Sequence, residues 1–169
     1  GSISHDDRVL QILSWLDYST EKRPGFLSLY FSHTDSYGHQ YGPDSDEIKE
    51  AIQEMDRTIG LLMAGLKSRD IFNKVNIMLV SDHGMASIHP DSIIYLDDYI
   101  KMDDVYMVDW TPISSISPLK NVDEIYSKLK NIHPNMSVYK KGDAPERYHY
   151  RNHRRIQPIT AVAHEHWSI

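Results

Sequence analysis

Residues 26–43 read FLSLYFSHTDSYGHQYGP, in which an apolar run gives way to a segment that carries a carboxylate and an imidazole. The run at 26–31 is too short for a helix and apolar at nearly every position, which is typical of a strand buried on both faces. Asp35 and His39 follow it four residues apart, with Gly38 between them and a Gly-Pro pair at the end. The pattern predicts a buried strand that leads into a constrained loop.

A long helix and a second strand are predicted after this loop. Asp44 and Glu47 have the spacing of a capping box, and an apolar stripe runs from Ile48 to Leu66 at helical spacing. Residues 75–80 read VNIMLV and lead into the sequence SDHGM. Because a strand, a crossover helix and a strand form a right-handed parallel unit, we expect a parallel sheet flanked by helices.

Further helices and strands are predicted at the start of the chain and beyond residue 100. Ser4 and Asp7 resemble a capping box in front of a short amphipathic helix. Beyond residue 100, the sequences MVDW, SVYK and ITAVA favour strands, and a helix is predicted from Asn121 to about Lys130. These elements indicate a small α+β subdomain.

The composition of the chain argues against several classes of function. The net charge of -6 gives no overall basic field that could hold a nucleic-acid polymer, and a solvated hairpin explains the basic cluster at 147–155 better than such binding. The chain has no cysteine, so a metal would be held by oxygen and nitrogen ligands. No apolar run approaches the roughly 18 residues of a membrane span.

Two short signals concern processing. Asn-Met-Ser at 135–137 is an N-glycosylation sequon, which permits a secretory route. Gly1 and Ser2 resemble a cloning remnant, which predicts a segment excised from a longer protein.

Two Asp/His pairs follow the two predicted strands. Asp35 and His39 come after the first strand, and Asp82 and His83 after the second. Binding sites in open parallel sheets form at the carboxyl ends of the strands, so the pairs should meet. Carboxylate oxygen and imidazole nitrogen suit zinc, and paired metals clamp the attacking and leaving oxygens of a displacement at phosphorus. The sequence therefore predicts two metals and phosphoester hydrolysis.

Each motif alone remains ambiguous. A single Asp-x-x-x-His is commonly a turn aspartate beside a surface histidine. Gly38 would let the first loop turn tightly, and Gly84 would let a second backbone approach closely behind His83. The placement of both motifs after apolar strands favours a common site.

The stretches YFSHTDSYGHQYGP, NIMLVSDHGM and VDEIYSKLKNIHPNMSVYKKGDAPERYHYRNHRRIQPI resemble, in this order, the ectonucleotide pyrophosphatase/phosphodiesterase family of the alkaline phosphatase superfamily. The resemblance runs from about Gly25 to Trp167. It implies an alkaline-phosphatase-like α/β fold with a mostly parallel sheet, two zinc ions and a threonine nucleophile that hydrolyses phosphodiester or pyrophosphate bonds. It also implies small phosphodiester, nucleotide or phospholipid substrates, and an extracellular or membrane-anchored enzyme.

The resemblance assigns roles to five residues. Asp35 and His39 match two ligands of one zinc ion, and Asp82 and His83 match two ligands of the other. Tyr30 matches an aromatic residue that packs on the organic group of the substrate, although a tyrosine in the core of a strand is equally consistent with its position.

Other parts of the family's site have no counterpart here. The threonine nucleophile and one ligand of each zinc ion fall outside the 169 residues. The chain thus resembles the C-terminal part of a catalytic domain, and we expect it to be inactive alone. We divide it into a partial catalytic core at 1–102, an α+β subdomain at 103–157 and a return strand at 158–169.

Several alternatives stay open. Ser32 and His33 replace an acidic pair common in animal members, and a surface histidine explains His33 more simply than a role beside Asp35. Another member of the superfamily, a phosphonate hydrolase, phosphomutase or sulfatase, would use the same metal frame. A non-catalytic fragment or pseudoenzyme that binds a partner chain is the alternative from another class.

Overall fold

The computed structural model describes residues 3–169, so the predicted cloning remnant at Gly1 and Ser2 lies outside the described residues. The chain divides into two compact units between Ser87 and Ile88. The first unit is helical, the second contains an antiparallel sheet, and each has its own hydrophobic core. The α/β class is confirmed, whereas the three-part division drawn from the sequence stays a prediction.

Helix α1, His5–Leu16, forms where the capping signal predicts it. The Ser4 hydroxyl accepts a hydrogen bond of 3.0 Å from the backbone N–H of Asp7, which satisfies one of the free donors in the first turn. The side chains of Val9 and Leu13 are buried in the core of the first unit.

The long helix of the first unit, here named α3, spans Asp46–Ser68. It begins two residues later than Asp44, because the hydroxyl of Ser45 accepts from the N–H of Ile48 and acts as the cap. Near its end, a Cβ at Gly65 would lie 2.3 Å from Leu13 Cδ1. Helices α1 and α3 therefore cross closely here, and any side chain at this position would force the buried Leu13 side chain to move.

A charged pair joins the C-terminal ends of α1 and α3. Arg69 donates from Nε to Asp17 Oδ1 at 2.7 Å and from Nη2 to Asp17 Oδ2 at 2.8 Å. These hydrogen bonds, with the charge of Arg69, lower the pKa of the Asp17 carboxyl. The two-point geometry matches the planar fork of arginine and is not available to lysine.

We expect Arg69→Gln to raise the pKa of Asp17 and to remove a pH-dependent contribution to stability. A carboxyl whose pKa is lowered by folding stabilises the folded state above its unfolded pKa, and this contribution is lost as the pH falls through the folded pKa. The stability gap between wild type and Arg69→Gln should therefore be largest at neutral pH and shrink in strong acid, where the hydrogen bond from Arg69 Nη1 to the Gly65 carbonyl remains. Urea unfolding at several pH values measures this gap, and Lys22→Gln is the charge-matched control. A gap of the same size at neutral pH and in strong acid contradicts the assignment.

The two predicted strands of the parallel unit do not form in the described residues. Segments 26–31 and 75–80 carry no strand assignment and pair with no other described segment. They are not buried on both faces, since Phe26 is 86% exposed and Met78 is 88% exposed. In the first segment alternate side chains pack on the core: Leu27, Leu29 and Phe31. The described residues do not show the predicted parallel sheet, because an extended segment becomes a strand only with a hydrogen-bonded neighbour.

The sheet that does form lies in the second unit and is antiparallel. Its strands are β1 (Val105–Asp109), β2 (Ile113–Pro118), β3 (Met136–Lys140) and β4 (Ile159–Ala163), in the order β1-β2-β4-β3. Three of them correspond to the predicted MVDW, SVYK and ITAVA strands. The sequence does not predict β2, which reads ISSISP.

Helix α4, Val122–Leu129, accompanies the sheet and confirms the predicted helix after Asn121. The side chain of Asn121 accepts hydrogen bonds from the N–H groups of Asp123 and Glu124. The core between α4 and the sheet contains fully buried side chains: Ile116, Leu129 and Ile159.

The remaining structure is irregular and includes short 3-10 turns, which span Phe72–Lys74, Leu96–Asp98, Met102–Asp104, Lys141–Asp143 and Glu146–Tyr148. The basic cluster at 147–155 is largely exposed, as predicted, but it forms turns and bends and not a hairpin. In residues 3–169 no helix is both long enough and apolar enough to cross a membrane.

Candidate functional site

The segment with Asp35 and His39 is a helix and not the predicted loop. Helix α2 spans His33–Tyr41 and lies between α1 and α3 in the chain. Residues four apart lie on the same face of a helix, and His39 Nε2 is 3.4 Å from Asp35 Oδ1. The spacing that suggested a constrained loop is therefore one turn of helix.

Gly38 brings the two motifs into contact. It is the buried residue of α2, and a Cβ at this position would lie 2.6 Å from the sulfur and 3.1 Å from the methyl carbon of Met85. Met85 ends the second motif, SDHGM. The absence of a side chain at Gly38 thus allows this motif to pack directly on α2, whereas a Cβ at Gly84 would meet open space, contrary to the predicted close approach there.

Local hydrogen bonds orient His83. Its Nδ1 lies 2.9 Å from the carbonyl oxygen of Gly84, and since a carbonyl only accepts, Nδ1 carries the proton. Its backbone N–H donates to Asp82 Oδ1 at 3.0 Å. The Gly84 carbonyl, followed by the charge of Asp82 and then that of Asp35, raises the pKa of His83. In the neutral ring, Nε2 keeps a free lone pair for a ligand.

Asp35 lies between the two imidazoles. Its Oδ1 is 3.4 Å from His39 Nε2 and 3.9 Å from His83 Nε2, while His83 Nε2 is 3.8 Å from Asp82 Oδ2. The fold thus brings together the four side chains that the sequence singled out, although all of them are substantially exposed to solvent. The meeting is produced by helix α2 and the Met85 contact, and not by two parallel strands.

The carboxylate and imidazole groups are chemically suitable zinc ligands, but too few of them converge on one point to complete a zinc site. Two donors of one tetrahedral zinc, with bonds of about 2.0–2.2 Å, are separated by about 3.3–3.6 Å, and the Asp35–His39 distance of 3.4 Å agrees. Nevertheless, within residues 3–169 no three His, Cys, Asp or Glu side chains are arranged to hold a metal ion. The four side chains are suitable ligands, but they do not complete a site.

Tyr30 is not a core residue. It is 66% exposed, and its carbonyl oxygen accepts a hydrogen bond of 2.9 Å from Arg8 Nη1. The core alternative for Tyr30 is wrong, and its match to a substrate-contacting aromatic stays a prediction. Met85 and Glu54, which contact α2, had no role in the sequence prediction. Met85 is the last residue of the second motif, and Glu54 is a polar residue on α3.

Comparison with known proteins identifies the family. The family model described as type I phosphodiesterase/nucleotide pyrophosphatase matches residues 1–169. The chain belongs to this family. The resemblance seen in the sequence is thereby confirmed.

Individual family members match along almost the whole chain. Human ectonucleotide pyrophosphatase/phosphodiesterase family member 5 is 41% identical over 99% of this chain, and bis(5'-adenosyl)-triphosphatase enpp4 of Xenopus laevis is 38% identical over 99%. The solved structure of murine ectonucleotide pyrophosphatase/phosphodiesterase 5 superposes with a TM-score of 0.87 at 39% identity. An inactive variant of that murine protein, solved in complex with AMP, matches equally well.

This family member spans only part of the proteins that it matches. The matched region is 35% of the human relative, 37% of the Xenopus relative and 45% of the solved murine chain. The relatives are named as phosphodiesterases, pyrophosphatases and a triphosphatase. Membership in the family favours a phosphodiesterase or pyrophosphatase over the mutase and sulfatase alternatives.

Proposed function

We propose that this chain is the metal-binding segment of a hydrolase that cleaves phosphodiester or pyrophosphate bonds in small nucleotides or related phosphodiesters. The observation that carries the proposal is the position of Asp35 Oδ1, within 4 Å of both His39 and His83. A carboxylate between two imidazoles is an arrangement suited to neighbouring divalent cations.

The four side chains have separate tasks in this proposal. Asp35 and His39 hold one zinc ion, and Asp82 and His83 hold the other. His83 binds through Nε2, because its Nδ1–H is held by the Gly84 carbonyl, an arrangement common among metal-binding histidines. When bound, the two ions supply positive charge to the phosphoryl oxygens and the leaving oxygen.

The substrate class rests on the relatives and on Tyr30. One relative is a bis(5'-adenosyl)-triphosphatase, and another was solved with AMP. Tyr30 lies three residues before the start of α2, and an exposed tyrosine near the candidate ligands is suited to stack on a base. The proposal therefore places the organic group of the substrate at Tyr30 and its phosphates at the metals, in an enzyme that acts outside the cell or on its surface.

The chain is proposed to be a part of the enzyme. Two observations support this: the described ligands fall short of complete zinc sites, and apolar side chains of segments 26–31 and 75–80 are exposed. In a longer protein, strands that pair with these segments and helices on their faces would form the alkaline-phosphatase-like parallel sheet and bury Phe26 and Met78, whereas Tyr30 lies near the carboxyl end of its segment, where binding sites form.

The test compares this chain with a longer form of the same protein. We expect the 169-residue chain to give no turnover of bis(p-nitrophenyl) phosphate or diadenosine triphosphate above background and to bind zinc weakly. The longer form should hydrolyse both and lose activity with a chelator. Turnover by the short chain that disappears in Asp35→Asn would refute the proposed incompleteness, and an inactive, zinc-indifferent longer form would favour the non-catalytic binding module.

A further inference from the structure

The first residue of α2, His33, is held by a carboxylate on α3. His33 Nε2 lies 3.0 Å from Glu54 Oε2, and because a carboxylate only accepts, the imidazole N–H donates. The His33 side chain is only 16% exposed. This contact corrects the interpretation of His33 as a surface histidine.

Glu54 also connects this contact to α1. His5 Nδ1, in the first turn of α1, lies 3.5 Å from the other oxygen of Glu54. The rings of His5 and His33 meet edge to face, with centroids 4.8 Å apart. One carboxylate thus joins the N-terminal ends of α1 and α2 to the middle of α3.

Helix α2 has two faces with different tasks. His33, Tyr37 and Tyr41 form an aromatic stripe at four-residue spacing, with ring centroids 4.5 and 5.5 Å apart. Asp35 and His39 are each two residues further along the chain, which places them about 200° around the helix. Any rotation of the aromatic stripe therefore moves the two candidate ligands by the same angle.

Two side-chain contacts on opposite sides of α2 define this rotation. The residue before the helix, Ser32, makes no side-chain capping hydrogen bond, and Gly38 is the buried residue of α2. Near the start of the helix, the His33 side chain hydrogen-bonds to Glu54 on α3 and its ring contacts that of His5 on α1. On the side of α2 that faces the second motif, Met85 packs against Gly38.

We propose that His33, held by Glu54, is a positioning residue that sets the rotation of α2 and thereby places Asp35 and His39 opposite His83. The effect on catalysis rests on the proposed function, whereas the effect of His33 on the rotation of α2 does not. Side-chain atoms lie about 5–6 Å from a helix axis, so a rotation of about 20° displaces Asp35 Oδ1 by about 2 Å. A displacement of about 1 Å can already lower a rate by about 100-fold.

The experiment tests whether the hydrogen bond to Glu54 is needed, or whether any polar side chain at position 33 is sufficient. Glutamine places its amide nitrogen near the position of Nε2, whereas asparagine is too short to reach Glu54. We therefore expect His33→Gln to behave as wild type and His33→Asn to behave as His33→Ala. A cavity of about 310 Å³ beside Glu54 lets water solvate the freed carboxylate, so these variants should remain folded.

The first readout is the NMR cross-peak between the Met85 methyl group and the Gly38 α-protons in the 169-residue chain, which needs neither metal nor activity. It should weaken severalfold in His33→Asn and Glu54→Ala, and persist in His33→Gln. Glu50→Ala is the matched control, because Glu50 is an exposed residue one turn earlier on α3. Thermal melting of each variant reports separately on folding.

The second readout is kcat in the longer form, which should fall about 10- to 100-fold in His33→Asn and recover in His33→Gln, since such supporting contacts have effects of this size. An unchanged cross-peak in His33→Asn overturns the proposal. A weakened cross-peak with unchanged kcat overturns its catalytic part. If the wild-type longer form is inactive, the proposed function fails, while the cross-peak still decides the geometric part.

Discussion

Replacing Asp35 by alanine in a longer, active form of this protein is expected to lower kcat/KM for a nucleotide diester by about 100-fold or more. Losing a contact to a metal ligand already costs about 10- to 100-fold, and losing the ligand itself should cost at least as much. Asp35 is central because its Oδ1 is near both His39 and His83. Its loss should therefore remove a ligand of one zinc ion and a negative charge beside His83, which is proposed to hold the other.

Two measurements check this expectation. Steady-state hydrolysis gives the rate, and the cobalt-substituted protein gives an absorption spectrum that should change in Asp35→Ala. Asp46→Ala is the control, since Asp46 is also an exposed aspartate on a helix and pairs with Lys49 at 2.7 Å, away from the two motifs. If Asp35→Ala keeps more than a tenth of the wild-type rate, the aspartate is not a metal ligand.

Replacing Ile116 by alanine is expected to lower the free energy of unfolding of the second unit by about 2–5 kcal/mol, as for other large-to-small core substitutions. Ile116 lies on β2, opposite Met107 of β1 and Ile159 of β4, and is 0% exposed. The loss is a large fraction of the about 5–15 kcal/mol that stabilises a typical domain. The neighbouring strands are hydrogen-bonded to β2, so they can close the cavity only in part.

Amide hydrogen exchange measures this loss in each unit of the same sample. Protection should fall in β1, β2 and β4 and remain in α1 and α3, which belong to the other unit. Ile113→Ala is the matched control, because Ile113 lies on the same strand but is 47% exposed. Equal effects of the two substitutions would contradict the assignment of Ile116 to the core.

The helices were the most predictable part of the fold. Helices α1, α3 and α4 show their apolar spacing in the sequence. The Ser4 and Asn121 caps form as predicted, whereas Ser45 caps α3 in place of Asp44. Capping is decided by side chains within one turn, so a local pattern is sufficient. The exception is α2, which was predicted as a loop because it contains Gly38 and ends at a Gly-Pro pair; the structure shows a helix without a side-chain cap.

The strands depended on residues far away in the chain. Segment 75–80 is as apolar as a buried strand, but no described segment pairs with it. Conversely, β2 contains Ser114 and Ser115, which are polar and yet buried, because β1 and β4 flank the strand on both sides. A ladder is a property of two segments, and the composition of one does not reveal its partner.

For the candidate site, the sequence by itself determined the chemical types and the spacing within each pair: a carboxylate and an imidazole four residues apart, and another such pair in adjacent positions. It also determined the family, since ordered motifs persist along the chain. Only the tertiary structure decided that Asp35 approaches His83, that Met85 fills the space left at Gly38, and that Glu54 holds His33. These contacts join elements that are distant in sequence, and packing between them, rather than any local pattern, sets which side chains meet.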